Sequence, residues 1–367
     1  MKKSKASDYR YVRGLRNTHN IISIIFLSLV SILALSFSIV LLIRNATLQR
    51  QEEAVQSELD ALNAEGYFTT TETQKLVETA KKEAEETTKS SIRSMIQKKL
   101  ESGDSTISAI RALFPEQMVV ASSGRYYFFP ILDAIKRHGF SDTDFELDEK
   151  GFIKYVGEDK SLTFRNGVDV SRFQGDIDWA RVAGAGIDFA IVRAGLRGTT
   201  EGKVLADDCF EDNVEGALKN GIDVGVYFYS QAINEAEAKE EAQMMLDMIE
   251  PYEIKYPVVI DVESADSENA RTNNLTTDQY EAVVRTFLET VRNAGYTPMI
   301  YGNVKTYTLL VDAIDVDDYD IWIAYYGIPM YYPYHFDIWQ YSSTGTVPGI
   351  EGNVDLNICL TDYTAKN

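Results

Sequence analysis

Strand-like apolar segments alternate with helical segments along the second half of the chain, and this alternation constrains the fold more than any other feature. Because strands that alternate with helices form parallel βαβ units, the pattern predicts an α/β fold. Eight such strands in about 200 residues favour an irregular (β/α) TIM-like barrel over residues 166–364, poor in helices towards its end. Helical segments follow at DWARVAGAG, at EAEAKEEAQMMLDMI and from Thr277 to Ala294. The strand segments are NGVDVS, DFAIVRAG, DVGVYFYS, YPVVIDVE, TPMIYG, DIWIAYY, FDIWQYS and NVDLNICL.

The chain before the predicted barrel divides into four segments of different composition. Residues 1–20 are basic, and residues 21–43 are apolar and carry no charge. Residues 44–102 place apolar side chains at helical spacing among many polar ones. Residues 103–165 contain short strand patterns, MVVAS, RYYFF and FELDEKGFIKYVG, and one helical pattern, ILDAIKRHGF. We therefore expect a cytoplasmic tail, a transmembrane helix, a helical stalk and a small α/β accessory module, in that order.

The apolar segment 21–43 predicts a membrane anchor. Its 23 uncharged residues are enough to span about 30 Å of hydrocarbon as a helix. Six Lys and Arg precede it, which predicts a cytoplasmic N-terminus and an exported remainder. A cleaved signal peptide with a site around Ala34-Leu35-Ser36 is the alternative. We favour the single-pass anchor because the apolar run continues to Ile43. The predicted stalk would then offer a route to self-association.

Charge and cysteine content narrow the classes of partner. The net charge is −20, although the first 50 residues are basic, so the exported part is strongly acidic. An acidic surface repels phosphates, which argues against a nucleic-acid partner. The two cysteines, Cys209 and Cys359, either form a disulfide outside the cell or are buried as apolar side chains, and we favour burial.

Carboxylates occur at or near three of the predicted strand ends. Asp169 closes NGVD, Asp261 and Glu263 close YPVVIDVE, and Asp355 lies in GNVDLN. The C-terminal ends of the strands form the reactive face of a (β/α) barrel, so we expect these acids to meet there. Buried carboxyls that crowd one another have raised pKa values, which keeps a proton available for acid/base chemistry. The pattern therefore indicates an acid/base site of the kind that hydrolyses glycosidic bonds.

Aromatic side chains on the same strands are candidates for binding sugar rings. Sugars often stack the C–H faces of their rings on aromatic side chains, which would suit a glycan substrate. Aromatic residues also favour strands for packing reasons, so each of them fits the core equally well. The candidates are Tyr227, Tyr229, Tyr301, Trp322, Tyr325 and Trp339.

Other chemistries fit the sequence poorly. The three histidines, His19, His138 and His335, do not have the spacing of zinc ligands. The chain has no G-x-S-x-G, P-loop or G-x-G-x-x-G motif. The carboxylates could instead hold Mg²⁺ or Ca²⁺, but we expect no metal and no cofactor.

Six motifs of the C-terminal half, taken in order, closely resemble glycoside hydrolase family 25, the lysozymes that cut peptidoglycan. The resemblance extends from about Asn166 to Asp362. Members of the family adopt an irregular barrel that lacks some late helices, so the resemblance implies the architecture that the strand pattern predicts. The motifs are GVDVSRFQGDIDW, FAIVRAGLRG, VGVYFYSQAINEAEAKEEA, YPVVIDVES, IWIAYY and WQYSSTGTVPGIEGNVDLN.

The resemblance also implies roles for the four acids. Glu263 would be the general acid that protonates the oxygen between N-acetylmuramic acid and N-acetylglucosamine. Asp261 would orient the acetamido group of the substrate or stabilise the cationic transition state. Asp169 and Asp355 would support this pair and position substrate or water. Peptidoglycan glycan strands are then the expected partner, and neither a metal nor a cofactor is implied.

Three questions stay open at the level of sequence. A non-catalytic, membrane-anchored glycan-binding or scaffold protein of the cell wall is the alternative function, although it would have no need of four acids. Chitin is an alternative substrate. The resemblance favours acetamido participation with retention, whereas the i, i+2 spacing of Asp261 and Glu263 does not decide between retention and inversion.

Overall fold

The computed structural model describes residues 47, 50, 53–58, 60, 61, 64, 70–159, 162, 164–265 and 267–364. The predicted cytoplasmic tail and transmembrane helix lie outside the described residues. In the described part of the chain, no helix has the length and apolar character needed to cross a membrane. The chain divides into two compact units, one up to Ala109 and the other from Ile110.

The first unit contains the long helix α1 (Thr70–Glu101). Its charges suit the helix dipole, with Glu72 in the first turn and Lys98 and Lys99 in the last. Most of its side chains are exposed, including apolar ones such as Leu76 and Met95. The helix falls in the predicted stalk.

The accessory module consists of a short helix and two hairpins. Helix α2 (Thr106–Arg111) precedes the antiparallel pair β1 (Gln117–Ser122) and β2 (Arg125–Pro130), and β3 (Phe145–Leu147) pairs with β4 (Ile153–Tyr155). These strands match the three strand patterns read from the sequence.

The helix predicted at ILDAIKRHGF is wrong. The segment instead forms turns and a single antiparallel bridge between Arg137 and Tyr334. The backbone N–H of His138 donates to Pro333, and the carbonyl of Lys136 accepts from the N–H of His335. These non-local hydrogen bonds satisfy backbone groups that a helix would otherwise pair within itself, so tertiary contacts override the helical pattern.

A closed barrel of eight strands forms the rest of the second unit, which confirms the predicted α/β barrel. In the order β5-β13-β12-β11-β10-β9-β8-β6 each strand is hydrogen-bonded to the next, and β5 also pairs with β6 to close the ring. A short strand, β7, joins β6 on the outside of the ring. The strands are β5 (Arg165–Val170), β6 (Phe189–Arg197), β7 (Val204–Ala206), β8 (Asp223–Tyr229), β9 (Val258–Asp261), β10 (Pro298–Asn303), β11 (Asp320–Ala324), β12 (Ile338–Gly345) and β13 (Val354–Cys359).

The last strand reverses direction. Six neighbouring pairs around the ring are parallel, whereas β13 runs antiparallel to both β12 and β5. An antiparallel strand needs no crossover helix before it. This accounts for the direct connection from β12 to β13, which needs no helix.

Four helices connect the earlier strands. In the described residues after α6, only a π-helical turn at Thr306–Leu310 and a 3₁₀ turn at Ala313–Asp315 follow. Helix α6 begins with a capping box, in which the Thr276 hydroxyl accepts from the Gln279 N–H and the Gln279 side chain accepts from the Thr276 N–H. The helices are α3 (Trp179–Gly184), α4 (Phe210–Lys219), α5 (Glu235–Ile249) and α6 (Thr277–Asn293).

The floor of the barrel is filled with aromatic rings. Phe189 and Tyr256 stack with their ring centroids 4.6 Å apart, and the ring of Tyr363 lies 5.4 Å from that of Tyr256. All three side chains are buried. The interior is therefore closed at the N-terminal ends of the parallel strands. Both cysteines are free thiols, and Cys359 is buried at this end of β13.

The accessory module shares one apolar core with the outer face of the barrel. Phe145 of β3 meets Trp339 of β12 edge to face, with ring centroids 5.3 Å apart. The hydroxyl of Tyr331 accepts from the N–H of Val119, and that of Tyr334 accepts from the N–H of Leu132. The module and the barrel are thus packed as one body within the second unit.

Candidate active site

A cavity of about 290 Å³ opens at the mouth of the barrel. It contains all four acids singled out from the sequence. Its lining is Asp169, Val170, Ser171, Phe173, Gln174, Arg193, Tyr227, Tyr229, Asp261, Glu263, Tyr301, Trp322, Tyr326, Gln340 and Asp355.

Strand pairing brings the acids together. Asp261 ends β9 and pairs in register with Tyr229 and Tyr301 on its neighbours. Asp169 lies near the end of β5, directly opposite Asp355. Asp355 is the second residue of its strand, and it reaches the mouth because β13 runs antiparallel, so that its beginning lies beside the ends of the other strands.

Two buried amides hold the Asp169 carboxylate. Gln340 Nε2 donates to Asp169 Oδ2 at 2.9 Å, and Asn357 Nδ2 donates to the same oxygen at 2.8 Å. Each amide is itself fixed, because Asn357 Oδ1 accepts from Trp322 Nε1 at 2.8 Å and Gln340 Oε1 accepts from the hydroxyl of Tyr301 at 2.9 Å. An indole N–H can only donate, so the oxygen of Asn357 must face Trp322 and its NH₂ must face Asp169.

Asp169 and Asp355 interact as a pair of acids. Burial raises the pKa of Asp169 well above its usual range, and the adjacent charge of Asp355 raises it further. Burial also raises the pKa of Asp355 to about 6, while a hydrogen bond with Asp169 opposes the rise. Ionising both of these neighbouring carboxyls is costly, so Asp169 and Asp355 titrate as a pair. The pair keeps one proton at mildly acidic pH, where an ordinary carboxyl has already lost its proton.

Asp261 and Glu263 form the second pair. Burial raises the pKa of Asp261 well above its usual range, followed by the charges of Glu263 and Asp169. The pKa of Glu263 is also raised by burial, and a hydrogen bond from the Asn303 side chain opposes that rise. Asp261 is only 6% exposed, whereas Glu263 is partly exposed to the cavity. Glu263 is therefore the more accessible of the two to an incoming molecule.

The aromatic candidates divide into two groups. Tyr227, Tyr229, Tyr301 and Trp322 line the cavity, and the rings of Tyr301 and Trp322 meet at 4.5 Å. The two others, Tyr325 and Trp339, are not among the lining residues.

Trp339 lies on the outer face of β12 because side chains alternate along a strand. Its neighbour Gln340 points into the barrel, and the indole of Trp339 is fully buried against Phe145 and donates to the carbonyl of Tyr325 at 2.7 Å. The structure thus places Trp339 in the core that joins the barrel to the accessory module, not at the cavity.

Several residues of the site were not found from the sequence. Gln340 and Asn357 hold Asp169, Asn303 contacts Glu263, and Arg193 brings a positive charge to the cavity. Inward-facing polar residues on buried strands were the signal for Gln340 and Asn357, because Asn357 follows Asp355 by two residues and shares its face. Two exposed aromatic side chains at the rim, Phe173 and Tyr326, were missed as well.

Comparison with known proteins identifies relatives of the barrel. The family described as glycosyl hydrolases family 25 matches residues 168–350. An uncharacterized protein of Escherichia coli O157:H7, YegX, is 31% identical over 201 residues, which are 53% of this chain and 68% of YegX. The autolytic lysozyme of Clostridium acetobutylicum is 28% identical over 192 residues, 52% of this chain and 54% of that protein.

Solved structures share the fold. The modular autolysin LytC from Streptococcus pneumoniae aligns with a TM-score of 0.50 and 24% identity, over 65% of this chain and 57% of that one. This chain thus spans little more than half the length of the clostridial lysozyme and of the pneumococcal autolysin. The matched family region contains Asp169, Asp261 and Glu263, and Asp355 follows within five residues of its end. On this sequence match and on the barrel fold, the chain belongs to glycosyl hydrolases family 25 and is a glycoside hydrolase related to lysozymes.

Proposed function

We propose that the protein hydrolyses peptidoglycan at the β-1,4 bond between N-acetylmuramic acid and N-acetylglucosamine. One observation carries this proposal: Glu263 faces the cavity with its pKa raised, beside the deeply buried Asp261. A carboxyl with a raised pKa keeps its proton to a higher pH than an ordinary carboxyl and can protonate a leaving glycosidic oxygen. Membership of a family that includes lysozymes supports the choice of substrate.

The proposed reaction uses the two carboxyls of YPVVIDVE in different roles. Asp261 Oδ1 has no hydrogen-bond partner among the described residues, so it is free to accept from the acetamido N–H of the substrate. Held in this way, the acetamido oxygen forms a bond to the anomeric carbon while the bond from that carbon to the leaving oxygen breaks. Glu263 gives its proton to the leaving oxygen. The Glu263 carboxylate then takes a proton from the water that opens the cyclic intermediate, with overall retention.

The pair Asp169 and Asp355 completes the proposed site. Its partly shared proton and its fixed amide donors give the opposite wall of the cavity a defined hydrogen-bonding pattern. We assign to this pair the positioning of substrate or of the attacking water. These carboxyls also raise the pKa values of their neighbours, which helps to retain a proton in the site.

Replacing the proposed acid tests the function directly. We expect Glu263→Gln to lower the release of reducing ends from purified peptidoglycan by about 10²- to 10⁴-fold, because the amide cannot donate a proton to the leaving group. Glu268→Gln, an exposed substitution five residues away, is the matched control and should retain full activity. Mass spectrometry of reduced products should find chains that end in muramitol. Undiminished digestion by Glu263→Gln would refute the role assigned to Glu263. If the parent protein binds peptidoglycan but releases no muropeptides, the protein is a scaffold instead.

We also propose that residues 21–43 anchor the enzyme in the membrane, with residues 1–20 in the cytoplasm and the barrel facing the cell wall. The uncharged run and the basic residues before it support this arrangement. Self-association through residues 44–102 is part of the same proposal, supported by the exposed apolar side chains of Leu76 and Met95. Protease digestion of intact protoplasts should remove the barrel from a membrane-bound N-terminal fragment. Recovery of the full chain in the soluble fraction would contradict the anchor.

A further inference from the structure

The cavity contains one positively charged side chain, Arg193, among its four carboxyls. Arg193 is only 7% exposed, and its Nε donates to Asp207 Oδ2 at 2.7 Å. The guanidinium also lies over the ring of Phe173 at the rim, 4.9 Å from the ring centroid. Its Nη2 is buried and donates to no atom of the described residues. A buried charged donor without an acceptor is costly, so this N–H is available to a ligand.

The position of Arg193 relative to Asp261 defines what could bind between them. Arg193 pairs in register with Tyr227 on β8, and Asp261 on β9 pairs with Tyr229, two residues further towards the mouth. The backbones of the two residues are therefore about 12 Å apart, from two strand spacings across the sheet and two residues along it. Asp261 Oδ1 is an acceptor, and Arg193 Nη2 a donor, for which the described part of the chain supplies no partner. A ligand that satisfies both must offer a donor and an acceptor a few ångströms apart.

N-acetylmuramic acid has this pattern on adjacent ring carbons. Its acetamido N–H is a donor, and the lactyl group on the next carbon ends in a carbonyl oxygen. N-acetylglucosamine carries a hydroxyl at that second position, whose oxygen can accept but lies directly on the ring carbon and does not extend from the ring as the lactyl carbonyl does. We propose that Arg193 binds the lactyl carbonyl of N-acetylmuramic acid through Nη2, and that this contact distinguishes peptidoglycan from chitin.

Charge in the cavity favours the lactyl group in its amide form. The ion pair with Asp207 already neutralises much of the Arg193 charge, and the four neighbouring carboxyls repel a further anion. An amide carbonyl accepts a hydrogen bond from the guanidinium without bringing a negative charge into the site. In peptidoglycan the lactyl group is amide-linked to the peptide stem, so the preferred form is the one that occurs in the polymer. Burial and the neighbouring carboxyls raise the pKa of Asp261, and the positive charge of Arg193 opposes that rise.

The inference rests on the proposed function but can be tested without catalysis. Three disaccharides that lack the cleaved bond serve as probes: N-acetylglucosaminyl-N-acetylmuramic acid with its lactyl group as the methylamide, the same disaccharide as the free acid, and diacetylchitobiose. Dissociation constants are measured by titration with the full chain. We expect the methylamide to bind about tenfold or more tightly than diacetylchitobiose, the effect of one hydrogen bond from a charged donor, and at least as tightly as the free acid.

The substitution Arg193→Lys should abolish this preference. Lysine retains the positive charge beside Asp207, but it lacks the second nitrogen of the guanidinium fork. The dissociation constants of the methylamide and of diacetylchitobiose should become nearly equal. The dissociation constant of diacetylchitobiose itself should change by less than about threefold, which in free energy is under half of a tenfold difference. Arg172→Lys is the matched control, because Arg172 lies near the same Phe173 ring at 5.5 Å but does not line the cavity.

Folding of the variants is checked by circular dichroism. Should Arg193→Lys fail to fold, the double variant Arg193→Gln/Asp207→Asn removes both charges of the buried pair and is expected to lose the same preference. Equal binding of the methylamide and diacetylchitobiose by the parent, an unchanged ratio in a folded variant, or tighter binding of the free acid than of the amide would overturn the inference. An enzyme that digests peptidoglycan without this preference would leave the proposed function intact.

Discussion

Glu263 lies between two groups that act on its pKa in opposite directions. The side chain of Asn303 donates a hydrogen bond that lowers the Glu263 pKa, whereas the charge of Asp355 raises it. Burial, the largest influence, raises it as well. As a general acid Glu263 must be protonated, so activity should fall as the pH rises through its pKa. The Glu263 pKa should therefore set the alkaline limb of the pH profile, with burial raising it most and Asn303 and Asp355 adjusting it in opposite directions.

Two substitutions should move this limb in opposite directions. Asn303→Ala removes a hydrogen bond to the carboxylate, so the Glu263 pKa rises and the alkaline limb of kcat/KM shifts to higher pH. Asp355→Asn removes a negative charge, so the Glu263 pKa falls and the limb shifts to lower pH. Both profiles are measured on soluble peptidoglycan fragments between pH 4 and 9. Shifts in the same direction would show that the limb belongs to a group other than Glu263.

At the scale of single residues, the sequence predicts the acids of the site better than the neutral side chains that hydrogen-bond to them. The four acids were predicted because carboxylates at strand ends are rare unless they are used. Gln340 and Asn357 were not predicted, because a neutral amide on a strand carries little signal until the register shows which face it occupies. Trp339 was assigned to substrate binding for the same reason, since an aromatic residue in a strand fits either face. Strand register decides these cases, and register depends on the closed ring.

At the scale of elements, a buried ion pair joins strand β6 to helix α5. Arg197 Nε donates to Glu241 Oε1 at 2.6 Å, and the other carboxylate oxygen accepts from the Ser230 hydroxyl at 2.6 Å. The Glu241 side chain is fully buried. Glu240 also contacts Arg197, at 2.7 Å, but its side chain is 61% exposed. The same arginine therefore has one fully buried partner, Glu241, and two more accessible ones on the same helix, Glu240 and, at 3.9 Å, Glu237.

Removing the buried partner should cost much more stability than removing the solvated one. We expect Glu241→Gln to lower the free energy of unfolding by about 2–3 kcal/mol, because the amide replaces a carboxylate that accepts two buried hydrogen bonds, from Arg197 and from the Ser230 hydroxyl. Glu240→Gln should cost less than about 1 kcal/mol, as is usual for an exposed ion pair. Urea denaturation at pH 7 measures both values. Equal losses would mean that burial does not separate the two contacts.

The element boundaries were predicted well where a pattern is amphipathic and long. The strand at Phe189–Arg197 and the helices at Glu235–Ile249 and Thr277–Asn293 occur where they were expected. Helix α4 (Phe210–Lys219) was not predicted, although its acidic first turn and its buried side chains at helical spacing, Phe210, Val214 and Ala217, are helical signals. No local sequence pattern predicts that β13 is antiparallel, because the alternation of side chains along a strand is the same in either direction.

At the scale of the whole second unit, the accessory module and the barrel contribute to one core. Phe145, which is 5% exposed, packs its ring against Trp339 and against Phe140. The three tryptophans of the chain, Trp179, Trp322 and Trp339, all lie in the barrel, so their fluorescence reports mainly on the barrel, and Trp339 also senses the module through its contact with Phe145. This separation allows a test of whether the module and the barrel unfold together.

A cavity made in the module should destabilise the barrel. We expect Phe145→Ala to lower the free energy of unfolding by about 3–5 kcal/mol and to shift the whole tryptophan transition to lower urea concentration. Leu147→Ala on the same strand, where the side chain is 59% exposed, is the control and should shift it little. A tryptophan transition that stays in place while a separate, earlier transition appears in circular dichroism would show two independent folding units.

The reversed direction of β13 determines the end of the barrel from which a linker departs. Because β13 ends beside the first residue of β5, with Cys359 in register with Arg165, the polypeptide enters and leaves the ring at the same end. That end is the floor closed by Phe189, Tyr256 and Tyr363. A tether, a tag or a further domain joined there departs from the side opposite the opening. The mouth of the barrel then stays accessible to a large, rigid polymer that cannot reorient itself towards the enzyme.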